Sequence, residues 1–220
     1  MGKTLLTARG KDILFSAKRD PFITDSYYLT GGTALSYYYL HHRISEDLDF
    51  FSLEEPNRSI LETWSTEVAG NVKAAQVEFQ TLRGQLVYFF HFEREVIKVD
   101  FAQYPFEHIG DFHKDGNLRV ASMRDIAANK LQAIQTRARG RDYVDLYEIV
   151  HECGMKMNDL FNDYRLKFDL HVAPEEWAKY FAKVLDAGDL PRFLGNRNWA
   201  AVERYFLEEA KRLSSAVLTT

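Results

Sequence analysis

The stretch that most constrains this chain runs from Leu29 to Phe51 and reads LTGGTALSYYYLHHRISEDLDFF. β-Formers at Ser26–Thr30 stop at Gly31-Gly32, and a helical pattern follows from Thr33 to about His41. A short strand therefore feeds a tight turn into a helix. Glycines at such a turn expose backbone N–H groups without a Cβ in the way, and a helix start of that kind can hold phosphate. Taken alone, two glycines before a helix are most often only a turn. Asp47-Leu48-Asp49-Phe50-Phe51 then alternates acid and apolar residues. That is the mark of a strand with both carboxylates on one face. Two carboxylates held side by side repel, and a divalent cation relieves the repulsion. Mg²⁺ fits, because it prefers oxygen and is often held by one or two carboxylates plus substrate phosphates.

The remaining composition narrows the setting. With 46% hydrophobic and 27% charged residues in 220, the chain should bury a core rather than stay disordered. A single cysteine, Cys153, excludes an internal disulfide and a cysteine-rich zinc site, so site chemistry must come from oxygen and nitrogen groups. Cys153 itself reads as a small buried hydrophobe. The formal charge of −4 excludes a uniformly basic nucleic-acid coat. No apolar run approaches the ~20 residues of a membrane span, and the N-terminus does not read as a secretory signal. A cytoplasmic protein is expected.

Periodicity predicts helices over 3–19, 33–41 and 58–69, with Pro21 ending the first. Three strands follow at 75–82, 86–92 and 96–101, tightly connected through Arg83-Gly84-Gln85 and Glu93-Arg94-Glu95, which favours an antiparallel meander. Beyond about Arg119 helical patterns dominate, at 122–138, 141–153, 158–169, 174–187 and 198–214. The chain thus reads as an α+β half at 1–120 and a helical half at 121–220. A third carboxylate lies in Ile97-Lys98-Val99-Asp100-Phe101, where Lys98 and Asp100 share one face. If this strand lies beside that of Asp47 and Asp49, three carboxylates converge. Such a set can organise two metal ions, one activating the attacking oxygen and one stabilising the triphosphate.

The order Gly31-Gly32-Thr33, Asp47-Leu48-Asp49, Asp100 resembles the polymerase-β-like nucleotidyltransferase superfamily. The fuller wording, with KVDF and then DIAANKLQAIQTRARGRDYVDLYEI, resembles its AbiEii/AbiGii branch, the toxin component of type IV toxin–antitoxin systems. The resemblance covers roughly residues 29–150. It implies an α+β nucleotidyltransferase core with a mixed β-sheet, followed by a helical C-terminal half contributing Lys130 and Asp142 to the cleft. It implies Asp47, Asp49 and Asp100 as metal-binding acids, Gly31, Gly32 and Thr33 as holders of the nucleotide phosphates, and Lys130 and Asp142 as further active-site residues. One departure from the superfamily is that Ser often follows the first glycine directly, whereas here Gly32 intervenes before Thr33.

The residues of the stretch beginning DIAANK also speak for themselves. On a helix from Ser122, Met123, Ile126, Ala127, Leu131 and Ile134 form an apolar stripe, and Lys130 falls in its middle. An ammonium there must snorkel, pair with a carboxylate or face a polar cavity. Arg137 lies near the same stripe. Asp142 opens the next helix, where an acid either caps the end or has a polar role at the site margin; Asp145 could pair with Arg141. Arg43 and Ser45 could orient the acidic strand, touch substrate or be structural. Tyr37-Tyr38-Tyr39 reads as packing, and His41-His42 lack a metal spacing.

The expected activity is Mg²⁺- or Mn²⁺-dependent transfer of a nucleoside monophosphate from an NTP to an acceptor hydroxyl, a tRNA 3′ end or a protein, with a cognate antitoxin as a further partner. The alternatives are a nucleotide-binding or protein-interaction module without transferase activity, and a kinase-like phosphotransferase. Residues 119–141 hold six basic residues against one acid, a formal charge of +5. Either an RNA backbone faces this segment or its arginines pair with acids elsewhere.

Overall fold

A computed structural model describes residues 5–217. The chain divides into two compact units: one holds the chain up to Tyr39 with Ser45–Glu107 and Asp111–Ser122, the other Leu40–Ile44, His108–Gly110 and the chain from Met123.

In the first unit, α1 (Ala8–Arg19) is capped by Thr7, whose hydroxyl accepts from the Gly10 N–H at 3.1 Å. The expected helix from residue 3 therefore starts later, and residues 3 and 4 lie outside the described residues. Pro21 does more than end α1. It opens α2 (Pro21–Ser26), because its fixed φ suits a first helical position and Asp20 caps the new start by accepting from the Ile23 N–H at 3.0 Å.

The sheet combines β1 (Tyr28–Thr30), β2 (Leu48–Ser52), β3 (Gln76–Leu82), β4 (Gln85–His91), β5 (Val96–Gln103), β6 (His113–Asp115) and β7 (Leu118–Val120). Its order is β3-β4-β5-β2-β1-β7-β6. The predicted meander β3-β4-β5 is antiparallel, while β5 pairs parallel to β2 and β7 parallel to β1, so the sheet is mixed. The hairpin β6-β7 was not anticipated; its three-residue strands are too short, and His113-Lys114-Asp115 too polar, to show an alternation.

One face of the sheet is covered by α4 (Arg58–Val72). Trp64 meets Phe101 edge-on at 5.4 Å, and Phe101 stacks on Phe50 at 5.3 Å. Phe50 and Phe101 are fully buried, and rings of this size each contribute about 1.5–3 kcal/mol on burial. Because strand side chains alternate, filling this face with Phe50 and Phe101 turns their neighbours Asp49 and Asp100 to the other.

The second unit is helical: α5 (Met123–Thr136), α6 (Gly140–Cys153), α7 (Met157–Phe168), α8 (Pro174–Ala182) and α9 (Trp199–Val217). The helix expected over 174–187 tightens into a 3₁₀ turn at Lys183–Asp186. Phe206 joins α9 to Tyr143 and Phe181 through ring contacts at 5.0 and 5.1 Å. The buried Asp125 accepts N–H groups of Ile109 and Gly110, each at 3.2 Å, and the buried Lys167 ammonium at 2.5 Å. That carboxylate ties His108–Gly110 to the helices. Contrary to expectation, Cys153 is exposed, since it sits at the last position of α6 just before the left-handed Gly154. No helix among the described residues is long and apolar enough to cross a membrane.

Candidate active site

The acidic site of the sheet unit is built by register. β1 and β2 pair Thr30 with Asp49, and β2 and β5 pair Asp49 with Asp100. Paired residues share a face, so Thr30, Asp49 and Asp100 form one row across three strands. Asp47 stands just before β2. Asp100 is 3% exposed, and its Oδ1 has no hydrogen-bond partner among the described residues; the same holds for the buried Thr30 Oγ1. Lys98, two residues before Asp100 on the same face, donates to Asp100 Oδ2 and lies 4.0 Å from Asp47 Oδ2. Burial pulls the Lys98 ammonium down, but its bond to Asp100 and the charges of Asp100, Asp47 and Asp49 outweigh this and raise its pKa.

Gly31 is tied to the acids sterically. After β1 the chain enters α3 (Gly31–Ala34), which continues as a π-helical turn at Leu35–Leu40. Gly31 has φ +72°, and a Cβ there would come within 2.1 Å of Asp49 Oδ2. Only glycine satisfies both the left-handed backbone and the approach of the carboxylate. Thr33 Oγ1 donates to the carbonyl of Asp47, which braces the start of α3 against the residue preceding β2. The hydroxyl proton of Thr33 is thereby committed to the backbone.

Among the described residues no three His, Cys, Asp or Glu side chains are clustered closely enough to grip a metal ion. The residues nevertheless fit a divalent cation. Asp49 and Asp100 are register neighbours and Asp100 keeps a buried oxygen unspent, while the Lys98 ammonium holds a position that a divalent cation would contest.

The helical unit holds a second polar centre. Asp145 Oδ1 accepts from His42 Nε2 at 2.7 Å and Arg43 Nε at 2.6 Å, and its Oδ2 from Arg43 Nη2 at 2.9 Å and Lys130 Nζ at 2.6 Å. Lys130 also donates to Asp142 at 2.7 Å, and Arg137 approaches Asp142 at 3.4 Å. Two buried cations face two buried carboxylates. Burial raises the pKa of Asp145, but Arg43 and Lys130 overcome it and hold the carboxyl well below its ordinary range; Asp142 is likewise lowered, chiefly by Lys130. For Lys130 burial acts downward, and the two carboxylates turn the net shift upward. Since Asp145 can only accept, His42 is protonated at Nε2.

Asp142 lies in the first turn of α6 without capping it, because its carboxylate is spent on Lys130. Asp145 does not pair with Arg141, which lies 3.6 Å from Asp189 instead. Ser45 is buried, and its N–H donates to the Leu5 carbonyl at 3.2 Å. Of the six cations at 119–141, Arg124 pairs with Asp163, Lys130 and Arg137 with Asp142, and Arg139 and Arg141 with Asp189. The +5 segment is therefore largely neutralised within the fold. Sequence reasoning set His42 aside for want of a metal spacing and gave Lys98 no role; the fact that Lys98 shares a face with Asp100 was the available signal.

An α+β sheet unit with a glycine turn packed against paired acidic strands is the architecture of a nucleotidyltransferase-type fold. Two solved structures share it: JHP933 from Helicobacter pylori, with TM-score 0.57, 17% identity and coverage of 96% of this chain and 91% of that one, and a candidate nucleotidyltransferase from H. pylori, with TM-score 0.55, 16% identity and coverage of 96% and 94%. An uncharacterized protein of Aquifex aeolicus is 30% identical over 141 residues, 63% of this chain and 64% of that protein. The chain thus matches slightly less than two thirds of that relative's length. Residues 12–215 match the family model of the AbiEii nucleotidyl transferase toxins of type IV toxin–antitoxin systems, and the chain belongs to that family.

Proposed function

We propose that the protein transfers a nucleoside monophosphate from an NTP to an acceptor hydroxyl, releasing pyrophosphate, as the toxin of a type IV toxin–antitoxin pair. The observation that carries this reading is the parallel β2–β5 register, which sets Asp49 beside Asp100 on the face where Asp49 packs against Gly31. Asp47, Asp49 and Asp100 would hold Mg²⁺ or Mn²⁺, whose chemistry when bound is to neutralise the triphosphate and lower the pKa of the attacking hydroxyl. Asp100, buried with one oxygen unspent, is the group best placed to take the acceptor proton. Backbone N–H groups following Gly31 orient the phosphates, with no Cβ between them and Asp49. Thr33 keeps this turn and the acidic strand in fixed relation. Rate enhancement then comes mainly from positioning and charge neutralisation.

Arg43, Lys130, Asp142 and Asp145 form the balanced ion cluster of the helical unit. In this reading the cluster is structural: the pairing of Arg43 and Lys130 with Asp145, and of Lys130 with Asp142, holds α5, α6 and residues 40–44 together. The acceptor is a tRNA 3′ end or a protein side chain, and the regulating partner a cognate antitoxin. Incubation with Mg²⁺, NTPs labelled at the α-phosphate and a cell extract tests the reading. Wild type should label a macromolecule, and Asp49→Ala and Asp100→Asn should not; equal labelling by all three would refute it.

A further inference from the structure

We propose that Arg19, Lys114 and Arg119 form a phosphate-binding site on the sheet unit, built to hold a phosphodiester of an RNA strand. A cavity of about 570 Å³ opens between the α1–α2 junction and the β6–β7 hairpin, and these three cations and the Asn117 side chain line it with only one acid, Asp25. Among the described residues none of the three cations has a carboxylate partner. Arg19 lies over the Phe15 ring, and Arg119 spends its Nη2 on the carbonyls of Asp25 and Tyr27 at 2.8 and 3.3 Å. This sets them apart from the other basic residues of the 119–141 segment, which are all paired.

Two further features call for an anion. Lys114 and Arg119 stand directly opposite each other in the β6–β7 ladder, and like charges so placed repel. The hairpin's own acid cannot relieve them, because Asp115 is held by Lys18 at 2.6 Å and by the Tyr38 hydroxyl at 2.7 Å. Arg119 is also pre-organised. Its guanidinium is fixed by two carbonyls and lies 5.4 Å over the Phe112 ring, while its buried Nε has no acceptor. A guanidinium held rigid in this way suits a phosphate oxygen.

The lining identifies the ligand class. The cavity offers charge and hydrogen-bond donors but no aromatic ring on which a base could stack, so it grips backbone rather than sequence. Arg119 also stands on the face of the acids: it pairs with Tyr28, two residues before Thr30, whose partner is Asp49. Two strand spacings and two residues of rise separate Arg119 from Asp49 by about 12 Å between backbones, a short stretch of polynucleotide. The inference rests on the nucleotidyltransferase reading only in taking the RNA to be the acceptor.

Fluorescence anisotropy with end-labelled bulk tRNA, on the full chain over roughly 50–200 mM KCl, tests the site. Arg19→Gln combined with Lys114→Gln should weaken binding about tenfold at the low-salt end and flatten the log–log salt slope by about 1.4–1.8, for two lost phosphate contacts. The swap Arg19→Lys with Lys114→Arg should keep wild-type binding, as should the exposed control pair Lys179→Gln with Lys211→Gln. Mg²⁺–ATP affinity, measured separately, should be the same in all of them. An unchanged slope in the double Gln variant, equal losses in the control pair, or no tRNA binding by wild type at 50 mM KCl overturns the proposal. A loss of ATP rather than tRNA affinity, or displacement of tRNA by micromolar inorganic phosphate, overturns it too by pointing to a mononucleotide or free phosphate. If wild type binds tRNA with the predicted slope but transfers no label, the site stands and the transferase reading falls.

Discussion

Replacing Asp145 by asparagine should be among the most damaging single changes available to the helical unit. Every group that reaches this carboxylate is a donor: His42 Nε2 and Arg43 Nε on one oxygen, Arg43 Nη2 and Lys130 Nζ on the other. Asparagine keeps the shape but turns one oxygen into an NH₂ that faces two donors. It also takes from Arg43 the charge it grips with two nitrogens and leaves Lys130 with Asp142, which Arg137 also approaches, in a site where Asp145 is fully buried. Breaking a buried ion pair by removing one partner costs about 3–5 kcal/mol. At roughly 2–4 °C per kcal/mol for a chain of this size, the midpoint of thermal unfolding should fall by about 6–20 °C. The acid dependence supplies an internal check. Because folding depresses the Asp145 pKa, its contribution is fully present above the unfolded value near 4 and is lost as pH falls through the folded value. The gap between wild type and variant should therefore be constant from about pH 5 to 8 and shrink below pH 4. Calorimetry or circular dichroism across that range measures it. A variant within about 1 kcal/mol of wild type, or a gap that widens in acid, would refute the reasoning.

Three further changes probe the sheet unit. Gly31→Ala places a side chain at φ +72° and 2.1 Å from Asp49 Oδ2, so it should cost about 1–2 kcal/mol in backbone strain, lower the unfolding midpoint by roughly 2–8 °C and abolish transfer by displacing Asp49; full activity would contradict the packing. Lys98→Met removes a cation 4.0 Å from Asp47 and should tighten Mg²⁺ binding about fivefold, the equivalent of ~1 kcal/mol at that distance in water, as read by calorimetric titration. Weaker binding would mean that Lys98 organises the acids rather than competing for them. Thr33→Val keeps the shape but removes the donor to the Asp47 carbonyl, and should lower stability by about 1 kcal/mol in a denaturant titration, with turnover falling further than nucleotide affinity.

The face on which Asp49 and Asp100 lie was legible, because period-two alternation with Phe50 and Phe101 allows only one arrangement. That β5 would lie parallel to β2 was not, since neighbour order in a sheet depends on the whole topology and not on either strand. Lys130 announced its need for a partner by sitting in an apolar stripe, and Asp142, twelve residues on, was within sequence reach. For Asp145 the sequence offered only its neighbour Arg141 as a possible partner, because local pairing is all that a helix pattern reveals. Its actual partners His42 and Arg43 lie more than a hundred residues away in sequence. Charge counting failed for a related reason. A +5 segment looked like a patch, yet Asp142, Asp145, Asp163 and Asp189, all beyond it in the chain, neutralise most of it, and among the described residues the cation left without a carboxylate is Arg119 at its edge.

The central claim is that Asp47, Asp49 and Asp100 direct attack at the α-phosphate of an NTP. Parallel reactions with NTP labelled at the α- or the γ-phosphate, together with an assay for released pyrophosphate, test it most directly. The account predicts macromolecular label from the α-position alone, one pyrophosphate per label, and loss of both in Asp49→Ala. Label arriving from the γ-position, or α-label that persists without Asp49, would contradict it.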